Sequence, residues 1–185
     1  MPDSDVVYET SRTLVRLWRP DEADRLFDLL SRWEVMQWLG TNPKVLEQRS
    51  EAELRIARWA EEFDEEPRFG AWAVEVKESG ITAGTMLLKP LPEGEGEVEI
   101  GWHFHPDSWG RGLATESALG ALGKGFAEGL DEIFAVTHLG NEPSMNVCRR
   151  IGMRHLGITT RWYGEQSELF RIGANEWVVP VQSSD

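Results

Sequence analysis

The residues best suited to chemistry lie in one short stretch, Trp109-Gly110-Arg111-Gly112-Leu113-Ala114-Thr115. Before it, Val98, Ile100, Trp102 and Phe104 alternate with Glu99, Gly101 and His103, which predicts a strand with two distinct faces. After it, residues 113–129 lack proline and place Leu113, Ala114, Ser117, Ala118, Ala121 and Leu122 on one side, which predicts a helix. A strand therefore runs into a glycine turn, and the turn opens a helix. The first N–H groups of a helix have no partner within it, and the dipole there is positive. Gly110 and Gly112 carry no side chain to keep a ligand from the backbone. Such a turn is an anion site, suited to phosphate or pyrophosphate, and Arg111 is placed to add a charge-assisted contact. The same glycines also suit tight packing of strand on helix. The spacing is neither the GxGxxG fingerprint nor Walker A, so the turn by itself leaves both readings open.

Other chemistry-bearing residues are scattered. Glu99, taken by its position, reads as an ordinary exposed strand glutamate. His103 and His105 share a strand face, as metal ligands can, but no further Cys or His lies nearby, and the reading is no metal. Cys148 reads as packing rather than as a nucleophile. Nine tryptophans are many for this length, and most read as core.

The elements that position these groups follow from periodicity. Residues 1–11 read as a loose arm. Residues 13–18 predict a first strand, ended by Pro20. Ala23, Leu26, Phe27, Leu30 and Trp33 predict an amphipathic helix; Glu53, Ile56, Ala57, Ala60 and Phe63 predict a second. Residues 69–76 and 81–88, separated by Glu78-Ser79-Gly80, predict an antiparallel hairpin. Beyond the central helix come a buried strand at 133–136, a helix near 144–151 closed by Gly152, and strands near 155–163 and 167–173. The order is β α α β β β α β α β β, without repeat or linker. It predicts one α/β domain over residues 1–185, with a single mixed, mostly antiparallel central sheet flanked by helices.

Composition narrows the function classes. The chain has 185 residues, 41% of them hydrophobic, enough for a core. Its net charge of −13 argues against nucleic acid, which needs clustered Lys and Arg, and favours a cationic partner such as an amine. No apolar run approaches the roughly 18 residues that span a bilayer, so no membrane partner is expected. The acidic N-terminus lacks a secretory pattern, and the single cysteine suits a reducing compartment; the expected location is cytoplasmic.

In register, three segments resemble the GNAT acetyltransferase superfamily, and specifically its RimJ/RimL-type N-acetyltransferases. Trp109-Gly110-Arg111-Gly112-Leu113-Ala114 resembles the family's acetyl-CoA signature. Glu99-Ile100-Gly101-Trp102 looks like the preceding strand. Asn141-Glu142-Pro143-Ser144, followed by Ile151-Gly152-Met153, is similar to the downstream segment. The resemblance implies a splayed sheet, with acetyl-CoA held by backbone groups of Trp102, His103 and Phe104, by the turn Gly110, Arg111, Gly112, Leu113, Ala114 and Thr115, and by Asn141 and Ser144. It implies direct attack by an amine without a covalent intermediate, with Glu99 as base. Many members carry a tyrosine where this chain has Cys148. In the RimJ/RimL branch a serine takes that role, here Ser144, whose competing role is helix capping. Glu116 resembles a structural helix glutamate. The resemblance also implies an acceptor groove shaped by the loop between the first two helices, here Trp33, Met36, Trp38 and Leu39, with Trp162 and Tyr163 adding to it; aromatic faces suit cations, and core packing competes at each. The implied acceptor is a primary amine, such as a protein N-terminus; the alternatives are a polyamine or aminoglycoside, or a non-catalytic acyl-CoA-binding module. A homodimer is compatible with this reading, but the sequence does not fix it.

Overall fold

The structure is a computed structural model and describes residues 5–178. Its strands are Val6–Glu9 (β1), Thr13–Arg16 (β2), Gly70–Val76 (β3), Thr82–Pro90 (β4), Val98–Phe104 (β5), Glu132–His138 (β6), Arg154–Thr159 (β7) and Ser167–Gly173 (β8). Its helices are Ala23–Leu30 (α1), Trp33–Met36 (α2), Arg49–Glu62 (α3), Leu113–Ala127 (α4) and Glu142–Arg150 (α5).

All eight strands form one sheet in the order β1-β2-β3-β4-β5-β6-β8-β7. Neighbouring strands are antiparallel except β5 and β6, which run parallel and pair at a single position, Glu99 with Phe134. A ladder that short leaves the remaining facing edges of β5 and β6 unjoined. The expected mixed, mostly antiparallel sheet flanked by helices is what the structure has.

Each face of the sheet carries its own core. Val74, Met86, Ile100 and Phe170 pack with Leu113, Ala121 and Leu122 of α4 and Met145 and Cys148 of α5. Trp18 and Ala73 pack with Leu26, Leu29 and Leu30 of α1 and Ala52 and Ile56 of α3. Arg16 is 1% exposed and ion-paired to Glu22 and Glu75, each at 2.7 Å, so its buried charge is compensated.

Four sequence readings are corrected. The loose arm contains β1, which pairs with β2. Its anchor is distant in sequence: Tyr8 donates to the Ser117 carbonyl at 2.8 Å and lies where a Cβ on Gly120 would come within 2.5 Å of its ring. The buried side of α3 is Ala52 and Ile56; Glu53, Ala57 and Ala60 are exposed. Trp33 begins α2 rather than ending α1. The strand expected near 155–163 stops at Thr159, and Trp162 sits in the following turn with φ +68.

Candidate active site

A cavity of about 1120 Å³ reaches from the glycine turn, past Trp102, His103 and Phe104, to Glu99, Trp38 and Tyr163. It passes the place where β5 and β6 part.

At the turn, Gly110 and Gly112 have φ +72 and +76, left-handed values that L side chains rarely adopt. Gly112 is the N-cap of α4, whose first turn is Leu113, Ala114 and Thr115, all lining the cavity. The turn is clamped from both sides. Trp109 Nε1 donates to the Phe104 carbonyl at 2.8 Å, and Arg12 Nη1 donates to the Arg111 carbonyl at 2.9 Å. Glu116 accepts from Thr10 Oγ1 at 2.6 Å and from the Arg12 backbone N–H at 2.7 Å, which ties the N-terminal arm to α4. Arg12 and Arg150 bring positive charge to the cavity lining, while Arg111 lines a smaller cavity that Arg12 also borders.

On β5, side chains alternate as read from the sequence. Val98, Ile100 and Phe104 enter the core under α4, with Trp102 packed beside them. Glu99, Gly101 and His103 take the opposite face. The Phe104 carbonyl accepts from Trp109 Nε1, and Trp102, His103 and Phe104 all line the cavity. His103 is buried, and neither ring nitrogen has a hydrogen-bond partner among the described residues. Burial, with the Arg55 charge adding to it, pushes its imidazole down to about 3, so it stays neutral. His105 turns to other work, with Nε2 at 3.1 Å from Asp28 Oδ2 and Nδ1 accepting from the Asp107 N–H at 3.2 Å. Among the described residues, no three His, Cys, Asp or Glu side chains group closely enough to hold a metal ion.

Glu99 lies across from Lys89 on β4. Tyr163 donates its hydroxyl to Glu99 Oε2 at 2.5 Å, and Lys89 Nζ stands 3.8 Å from the same oxygen. Burial holds the Glu99 carboxyl above the ordinary range, opposed by the Lys89 charge and the Tyr163 hydrogen bond.

Asn141 and Ser144 also line the cavity. Asn141 is the N-cap of α5, its Oδ1 accepting from the Ser144 N–H at 3.3 Å. The capping role expected of Ser144 therefore belongs to Asn141, and the Ser144 hydroxyl is left for another partner. Cys148 is buried, and burial pushes its thiol up to about 12, as a packing residue requires.

A family model for the acetyltransferase (GNAT) domain matches residues 12–154. The chain belongs to the GNAT acetyltransferase family. This acetyltransferase is 27% identical over 157 residues to YoaA of Bacillus subtilis (strain 168), described as an uncharacterized N-acetyltransferase; the match covers 84% of the chain and 87% of YoaA. Its fold superposes on Mycobacterium smegmatis RimJ in complex with CoA-disulfide (TM-score 0.76, 19% identity, 89% of this chain and 83% of that one). It also superposes on the microcin C7 self-immunity acetyltransferase MccE in complex with acetyl-CoA and AMP (TM-score 0.74, 12% identity, 88% and 93%). Among its described residues no helix is long and apolar enough to cross a membrane.

The structure places the acceptor-side aromatics of the acetyltransferase differently from the sequence reading. Trp38 lines the cavity. Trp33 is 55% exposed and outside the lining, because it starts a separate one-turn helix. Trp162 packs on Phe134 at 5.7 Å between ring centroids and is also outside the lining, because its positive φ turns it away from the strand face. Its neighbour Tyr163 enters the cavity instead. Arg12, Lys89 and the Tyr163–Glu99 bond are absent from the sequence reading. The predicted strand stops at residue 88, one short of Lys89, and nothing local signals the others.

Proposed function

We propose that the chain transfers an acetyl group from acetyl-CoA to a primary amine, with one domain spanning residues 1–185 supplying both sites. The observation that carries this reading is one continuous cavity joining the glycine turn to a buried carboxylate through the parting of β5 and β6.

The residues present fit the cofactor. Gly112 holds a left-handed φ of +76 that an L side chain rarely adopts, and the absence of a Cβ leaves a ligand a close approach to the backbone at the start of α4. The N–H groups from Gly110 to Thr115, with the Arg12 charge, would hold the pyrophosphate. Backbone groups of Trp102 and His103, with Asn141 and Ser144, would hold the pantetheine arm. Acetyl-CoA supplies a thioester whose carbonyl carbon is open to attack and whose sulfur leaves.

Glu99 takes the proton from the ammonium form of the acceptor, because only the neutral amine has a free lone pair. An N–H on β5 stabilises the negative charge that develops on the carbonyl oxygen. The Ser144 hydroxyl donates to the departing sulfur. Glu34 and Glu165 line the cavity beside Trp38 and Tyr163, which favours a cationic acceptor at the entrance. The acceptor proposed is a protein N-terminus, a reading supported by the likeness to RimJ.

Calorimetry with acetyl-CoA, followed by a free-thiol assay over peptides, polyamines and aminoglycosides, tests the proposal. The expected result is binding with turnover on peptide amines. Turnover only on small amines moves the acceptor to that class. Binding with no turnover makes the chain a binding module, and no binding ends the reading. Glu99→Gln should lower kcat by roughly 100- to 10,000-fold, the usual range for loss of a general base.

A further inference from the structure

Glu99 presents a physical difficulty. It is 8% exposed, with Val98 and Ile100 in the core on either side. A carboxylate taken out of water tends to keep its proton, and a protonated carboxyl accepts nothing from an ammonium. Two groups oppose that tendency, and they come from different parts of the chain. Lys89 is its direct cross-strand partner on β4. Tyr163 arrives from the turn between β7 and β8, 64 residues away. Lys89 Nζ also lies 5.9 Å from the centre of the Tyr163 ring, so the carboxylate, phenol and ammonium form a closed triangle. Both contacts fall on Oε2. Among the described residues no hydrogen bond falls on Oε1, while Glu99 itself lines the cavity.

We infer that Tyr163 and Lys89 are positioning residues that keep Glu99 ionised and leave its Oε1 for the acceptor amine. This rests on the transferase reading above. The step balances simply: the ammonium loses one proton, Glu99 Oε1 gains it, and the amine nitrogen recovers its lone pair. Lys89 stays a cation throughout, and Tyr163 keeps its hydrogen on Oε2. Phe134 faces Glu99 from β6, and the other charged side chains lining the cavity are Arg12, Glu34, Glu116, Arg150 and Glu165 among the described residues.

The test is the pH profile of kcat/KM for wild type, Tyr163→Phe, Lys89→Met and Lys89→Arg. Removing either support should move the acid limb to higher pH, because both lower the carboxyl's proton affinity. Lys89→Arg should keep the wild-type limb, since the cation remains. A purely structural role would lower the plateau and leave the limb in place, and that result overturns the inference. So does a Lys89→Arg limb displaced as far as that of Lys89→Met. Carbon-13 NMR of the glutamate carboxyls, assigned with Glu99→Gln, reads the same titration without any amine. If wild type acetylates no amine, the transferase reading fails while this titration still decides the inference. A Glu99 resonance that titrates identically in all four proteins refutes it.

Discussion

Arg12 and Glu116 are 104 residues apart and joined twice: the Arg12 backbone N–H donates to Oε1 at 2.7 Å, and Arg12 Nε to Oε2 at 2.6 Å. The pair fixes the arm between β1 and β2 against the first turn of α4. The same guanidinium reaches the Arg111 carbonyl, so one side chain braces both the helix and the turn that opens it.

Glu116→Ala removes the acceptor for Arg12 and for Thr10 together. Hydrogen bonds to charged groups contribute about 1.5–3 kcal/mol each where buried, and the 52% exposure of Arg12 lowers that. The expected loss is about 2 kcal/mol, read by urea denaturation, with weaker acetyl-CoA binding as the turn loosens. Unchanged stability would mean that the β1–β2 ladder, Tyr8 and Lys77 suffice to hold the arm.

Gly112→Val puts a β-branched side chain at φ +76 and against Arg12 Nη2. A left-handed conformation costs such a residue on the order of 1–2 kcal/mol, so the turn reshapes. Calorimetry should then detect no acetyl-CoA binding while circular dichroism still reports a folded protein. Wild-type affinity in that variant refutes the phosphate assignment.

His103 makes stability depend on pH in a defined direction. Its folded imidazole titrates at about 3, far below its ordinary value, because of burial first and the Arg55 charge second. Between those two values the unfolded chain binds a proton that the folded chain does not. Stability therefore falls as pH falls through that window, by about tenfold in the folding constant per pH unit for this one group. Denaturation at several pH values, wild type against His103→Phe, isolates the effect: the variant should show the shallower dependence. Parallel curves would mean that His103 is solvated in the folded protein.

The glycine turn is legible in sequence because its signal is local. Two glycines, a strand pattern before and a helix pattern after lie within about thirty residues, and each is set by short-range backbone sterics. The order of elements is legible for the same reason. What escapes is whatever depends on a distant partner. β1 looks like an arm because its stability comes from Tyr8 seated on Gly120, which no window around Val6 contains. Arg12 reaches its partner across 104 residues and Tyr163 bonds Glu99 across 64, and nothing near either residue marks that partner. Aromatic content shows that some tryptophans meet the cavity without showing which. A separate one-turn helix directs Trp33 outward, and one positive φ exchanges Trp162 for Tyr163.

The sheet's interrupted ladder has a further consequence. Strand edges ordinarily invite other chains, and proteins blunt them with charge, proline or twist. Here the edges of β5 and β6 that lie beyond Glu99 and Phe134 face one another inside the molecule. The protein thereby keeps backbone hydrogen-bonding groups in reserve within its sheet, between two of its own strands, rather than at an outer edge where strands of other chains ordinarily pair.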